Sequence, residues 1–186
     1  FALKIICLAT LMSPLWLQPI SATINGLLLC KLITIQYKYI IMNSKTIGIV
    51  LARSGSKGIK NKNIILINNK PLIHYSLEAL IKSKTCSKII VSTNSNKYIK
   101  IIKKFFFKSI DVFKRSEKYA QDNSSSEKAI LEIIKNKKKI LENYKYCIFL
   151  QLTSPLVNPR DFKNGLNLLK NKNFDSIFTG FKSKKF

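Results

Sequence analysis

The chain has 186 residues, 46% hydrophobic and 23% charged, which argues against disorder and supplies enough apolar material for one domain with its own core. Its formal net charge of +24 suits a polyanionic partner, yet the lysines are scattered among Asn and Ile, with no basic stripe interleaved with aromatics. That spread reads as compositional bias and argues against a dedicated nucleic-acid face. The four cysteines form no C-x-x-C pair and His74 is the single histidine, which argues against a zinc site or a disulfide framework and fits a reduced, cytoplasmic protein.

Residues 5–30 carry no charge, the pattern of a signal peptide or membrane span, but Pro14 and Pro19 interrupt the run. Met42 stands just before the first strand pattern. Residues 1–41 are therefore expected to be an apolar extension upstream of a natural start, with residues 42–186 as the folded unit and no membrane segment. Residues 47–51 are a short apolar run ending in a Gly/Ser-rich loop, the mark of a buried strand. Pro71 opens a helix in which Leu72, Tyr75, Leu77, Leu80 and Ile81 recur at helical spacing. His74, inside that stretch, is expected to pack, with Glu78 one turn on.

Residues 88–92 form a second strand, and Asn94 or Ser95 caps a helix running to about residue 105. The triple phenylalanine at 105–107 reads as core and lead-in to a third strand at 110–113. Ser124, Ser125 and Ser126, followed by Glu127, open a long helix whose Lys137-Lys138-Lys139 run is a solvated face. A fourth strand at 147–150, a helix at 161–169 and a fifth strand at 176–179 complete the pattern. Strands alternating with helices at this spacing predict a mostly parallel sheet with helices on both faces and a site at the strands' carboxyl ends. The loops after residues 51 and 150 should meet there, provided that their strands are neighbours.

The loop after the first strand combines Gly55 and Gly58 with Arg53, Lys57 and Lys62. Glycines let backbone N–H groups approach an anion, and the cations neutralise it, a combination suited to a triphosphate. The spacing is neither a Walker A loop nor a dinucleotide fingerprint. Gly55 to Gly58 also satisfies the bare G-x-x-G of KH domains, so a basic nucleic-acid-binding module is the alternative, although a KH loop joins two helices.

The stretch IVLARSGSKGIKNKNI at 49–64 resembles the signature loop of CMP-N-acetylneuraminic acid synthetases, I-(P/L)-A-R-x-x-S-K-G-(I/L)-x-x-K-N. Lys70-Pro71-Leu72-Ile73 and Val91-Ser92-Thr93 follow in that family's order. Arg115 to Asp122, RSEKYAQD, is similar to R-P-x-E-L-A-x-D, and Leu150 to Leu156, LQLTSPL, is similar to L-Q-P-T-S-P-L-R.

The resemblance implies a three-layer α/β/α Rossmann-like nucleotidyltransferase fold of GT-A-like type. The implied reaction is transfer of CMP from CTP to an acidic nonulosonic sugar, of sialic or legionaminic acid type, with release of pyrophosphate. It assigns Arg53, Ser56 and Lys62 to the CTP phosphates, with Lys57 and Gly58 beside them. Leu51, Ala52 and Asn63 frame the nucleotide, and Arg115 and Ser126 contact its cytidine part. Gln151, Thr153 and Ser154 face the nine-carbon acidic sugar, with Arg53, Lys62 and Gln151 nearest the chemistry. Mg²⁺ and a homodimer of the full-length form are further implications. The family's metal-binding aspartates lie beyond residue 186, which predicts an incomplete site. Three positions depart from the family: Leu152 replaces a proline, Val157 an arginine with Arg160 nearby, and Asn94 an aspartate.

Overall fold

A computed structural model describes residues 45–180 apart from 57, 107 and 154, together with the backbone of Lys4–Leu8. Strands β1 (Lys4–Leu8), β2 (Lys45–Leu51), β5 (Lys88–Thr93), β6 (Asp111–Lys114), β7 (Tyr144–Gln151) and β8 (Ser176–Phe178) form one sheet in the order β6-β5-β2-β7-β1-β8. All five pairings are parallel. Helices α1 (Leu72–Lys82), α2 (Asn96–Phe106), α3 (Ser126–Leu141) and α4 (Pro159–Asn171) connect them.

The strict alternation of a strand sorts the core into two faces. Val50, Ile148 and Leu150 point one way and meet Leu77 and Leu80 of α1, Tyr98 and Ile102 of α2, and Phe162 and Leu166 of α4. Ile47, Ile49, Cys147 and Phe149 point the other way and meet Ile133 and Leu141 of α3. Three layers result, as expected for a sheet buried on both sides. Gly48 sits where α1 comes closest: a Cβ there would lie 2.9 Å from Leu80 Cδ2 and 3.3 Å from Cys86 Sγ.

The helix ends follow the sequence closely. Ser95 Oγ accepts from the Tyr98 N–H at 3.4 Å, and Ser125 Oγ accepts from the Lys128 N–H at 3.4 Å. α4 starts at Pro159, two residues before the expected position, because Asn158 and Asp161 close a reciprocal capping box. In α3 the backbone leaves helical geometry at Lys137 (φ −122°).

Three features differ from expectation. From sequence the sheet starts at residue 47, yet Lys4–Leu8 is also a strand in it, paired with β7 on one side and β8 on the other. Ile5-Ile6-Cys7-Leu8 has the continuous apolar character of an interior parallel strand. The apolar run continues past Leu8 to Met12, and the first turn residues, Ser13 and Pro14, come only after it, so nothing marks where the strand ends.

A small hairpin of β3 (Leu66–Ile67) and β4 (Lys70–Pro71) also goes unpredicted. Asn68 and Asn69 turn it with φ of 46° and 63°, the left-handed conformation that asparagine tolerates in primed turns. Third, Phe105 and Phe106 end α2 and do not lead into a strand. Phe105 is 40% exposed, and both rings pack on His74, at 5.1 and 4.9 Å between centroids. Burial chiefly pushes the His74 pKa down, and Glu78 Oε2 lies 3.6 Å from its Nε2. Among the described residues no helix is long and apolar enough to cross a membrane.

Candidate active site

β2 and β7 are neighbours, and Leu51 pairs with Gln151 at their carboxyl ends. The loops that leave these strands meet over a cavity of about 660 Å³. Its floor is Leu51, Phe149 and Gln151, which share a face through the strand register. One wall is the Gly-rich loop with Arg53, Ser56, Gly58 and Lys62. The facing wall comes from the segment between β6 and α3, with Arg115, Tyr119, Asp122 and Ser124 to Ser126. Thr153 and Leu152 close the third side.

Of the residues singled out from sequence, Leu51, Arg53, Ser56, Gly58, Lys62, Asn63, Arg115, Ser126, Gln151 and Thr153 thus converge on this cavity. Ala52 does not line it. That residue is fully buried beneath the loop, and its N–H donates to Ser92 O at 2.9 Å. Lys57 and Ser154 fall outside the described residues. Arg160, the cation near the missing family arginine, lines a different groove with Lys82, Lys163 and Lys170. Tyr119, Ser124 and Ser125 were not anticipated as wall residues, although the serines adjoin Ser126 in sequence.

The Gly-rich loop is held by side chains and not by its own backbone ladder. Asn63 is buried in a 3₁₀ turn (Lys62–Ile64), and its amide donates to Arg53 O at 3.0 Å. Asn94 Oδ1 accepts from both the N–H (3.1 Å) and the hydroxyl (3.3 Å) of Ser54, while its Nδ2 donates to Glu117 Oε2 at 3.0 Å. Asn94 therefore ties the loop to the wall opposite. Gly55 and Gly58 have no positive φ, and a Cβ on either would meet nothing within 4 Å. The space beside them is open to an approaching ligand.

Among the described residues three cations, Arg53, Lys62 and Arg115, face one carboxylate, Asp122, in the cavity lining. Arg53 Nη1 reaches Asp122 Oδ1 at 2.9 Å and Gln121 O at 3.1 Å. Arg115 is 4% exposed, with Nε donating to Ser92 Oγ and Nη2 to Ser92 O, both at 3.0 Å. Burial draws the Arg115 pKa below its ordinary value, Glu132 opposes that shift, and the Arg53 charge adds to it. Guanidinium groups in the walls of a cleft with hydroxyls around them suit an anionic, hydrogen-bonding ligand. Among the described residues no three His, Cys, Asp or Glu side chains gather as a metal site.

Residues 47–185 match a protein-family model described as cytidylyltransferase. The chain is 40% identical over 114 residues to an N-acylneuraminate cytidylyltransferase of Escherichia coli O18:K1:H7, covering 61% of this chain and 26% of that protein. It is 32% identical over 136 residues to a Helicobacter pylori pseudaminic acid cytidylyltransferase that is also a sugar-nucleotide hydrolase, covering 73% of this chain and 26% of that one. A CMP:2-keto-3-deoxy-manno-octonic acid synthetase solved with CTP superposes with a TM-score of 0.58 at 20% identity, over 70% of this chain and 49% of that one, a likeness of fold. The chain thus spans about a quarter of the length of the first two relatives.

Proposed function

Because this chain belongs to the cytidylyltransferase family, we propose that its cavity binds CTP and serves the transfer of CMP to an acidic nonulosonic sugar. The observation that carries the proposal is the convergence of Arg53, Lys62 and Arg115 with Gln151 and Thr153 at the carboxyl ends of β2 and β7. In this reading Arg53, Ser56 and Lys62 take the triphosphate, with Lys57 beside them and Gly58 leaving room. Leu51, Ala52 and Asn63 shape the loop, Arg115 and Ser126 take the cytidine, and Gln151, Thr153 and Ser154 orient the sugar.

The sugar's anomeric hydroxyl oxygen attacks the α-phosphorus and gives up its proton to solvent, the bond from that phosphorus to the bridging oxygen breaks, and pyrophosphate leaves with that bond's electron pair. The chain contributes position and charge: cations stabilise the negative charge that shifts onto pyrophosphate, and Gln151 stands next to the strand that starts the phosphate loop. Sialic, legionaminic and pseudaminic acids all have the carboxylate and hydroxyls that such a site would recognise. The unit carrying the nucleotide site is residues 42–186; a cytoplasmic location and a homodimer of the full-length form belong to the same reading.

Magnesium, which the resemblance implies, finds one carboxylate in the cavity among the described residues. That group, Asp122, is paired with Arg53. The described residues do not form its site. The nucleic-acid alternative is not favoured: the loop at Gly55 to Gly58 leaves a strand and enters a 3₁₀ turn, where a KH loop would join two helices.

Titration of the chain with CTP by calorimetry tests the proposal. Arg53→Ala should weaken binding by about 1.5–3 kcal/mol, the range for a hydrogen bond to a charged group. Equal affinity in the two proteins would remove Arg53 from the site.

A further inference from the structure

Glu132 belongs to none of the motifs and does not line the cavity, yet it is 9% exposed on a helix that carries lysines along its outer face. Its Oε1 accepts from the Ser116 N–H at 3.1 Å and from the Ser116 hydroxyl. Its Oε2 is buried with no hydrogen-bond partner among the described residues. A buried carboxylate that is only half satisfied needs a positive charge nearby. Arg115, the residue before Ser116, is that charge, and the Glu132 carboxylate favours the charged form of its guanidinium.

The guanidinium of Arg115 has little freedom. Nε and Nη2 are committed to Ser92, and the backbone N–H of Arg115 continues the β5–β6 ladder onto Thr93 O at 2.9 Å. Among the described residues nothing accepts from Nη1, although Arg115 lines the cavity. Ser92 fixes the plane of the group from below, and the Glu132–Ser116 clamp fixes the chain turn that carries it.

We infer that Glu132 is a positioning residue: by clamping Ser116 and balancing the buried charge of Arg115, it keeps the spare N–H donors of that arginine aimed at the acceptors of a pyrimidine base. Cytosine offers O2 and N3 as adjacent acceptors, whereas the N3 of uracil carries a proton, so the arrangement selects cytosine. The inference rests on the reading that Arg115 meets the cytidine part of CTP. It adds a residue behind the site that sets base choice and leaves phosphate binding alone.

The test is calorimetric titration of the full chain and of Glu132→Gln with CTP, UTP and inorganic triphosphate. Glu132→Gln keeps an oxygen for Ser116 and removes the charge. It should weaken CTP binding by about tenfold, narrow the CTP-to-UTP ratio to match, and leave inorganic triphosphate unchanged. Equal loss for all three ligands, or no loss for CTP, overturns the role. If the wild-type chain binds CTP no better than inorganic triphosphate, the nucleotide reading of the cavity fails and the role of Glu132 falls with it. Should Glu132→Gln not fold, Ser116→Ala decides: it removes one anchor and keeps the charge. It should cost CTP binding about threefold and narrow the CTP-to-UTP ratio to match, and an unchanged ratio overturns the inference.

Discussion

The two sides of β7 are built on different principles. Toward β2 the register runs without interruption from Thr46–Tyr146 to Leu51–Gln151, both strands are buried on both faces, and both end in loops that wall the cavity. Toward β1 and β8 the partners are short. β8 pairs over three residues, and Phe178 at its end is 66% exposed. Among the described residues, all those that line the cavity fall within positions 51 to 153, and none comes from the β8 side. One side concentrates burial and chemistry together, while the other extends the sheet, and substitutions should separate the two.

The largest effect is expected at Gly48. In Gly48→Ala the new methyl would press on Leu80 and Cys86 in the packed face under α1, and overpacking of this kind costs about 1–3 kcal/mol. Urea denaturation should show it as a lower midpoint with an unchanged slope. A neutral result would mean that α1 shifts freely over β2, and the contrast in packing would fail.

Deletion of residues 1–41 should come next. It removes β1, leaves the β1-facing edge of β7 unpaired and deprives β8 of its strand neighbour. A melting temperature lower by about 2–4 °C is expected, the shift that about 1 kcal/mol produces in a chain of this size. CTP affinity should stay as it was. An unaltered melting temperature would make β1 an ornament of the sheet, and lost CTP binding would join the two sides into one functional unit.

The smallest effect is expected at Phe178→Ala, within about 0.5 kcal/mol because the side chain is mostly in water. A cost of several times that size in thermal melts would show that the β8 edge is covered in solution.

How much the sequence disclosed follows the same division. On the β2 side every strand ends in punctuation: Gly55 and Gly58 after Leu51, Asn94 and Ser95 after Thr93, Pro155 after Gln151. Apolar runs bounded by such residues are legible as strands, and their order predicts which loops meet. β1 sits inside a longer apolar run, and the first such residues, Ser13 and Pro14, come five and six positions after Leu8. The β3–β4 hairpin had one, Asn68-Asn69, but two-residue strands are too short to show alternation. Arg115 and Ser126 were legible only through resemblance, because composition says nothing about a buried arginine. Glu132 was illegible either way: one acid on a lysine-rich helix looks like a solvent-facing partner for its neighbours, and only the fold shows it turned inward.

Asn94 gives the departure from the family's aspartate a chemical rationale. A side-chain amide has two ends of opposite sense, and here both are in use: oxygen toward Ser54, nitrogen toward Glu117. An aspartate would satisfy Ser54 equally well and would set a second carboxylate about 3 Å from the first, where like charges disfavour each other's ionisation. Asparagine at 94 and glutamate at 117 are thus a matched set, and either one can change at low cost only if the other changes with it.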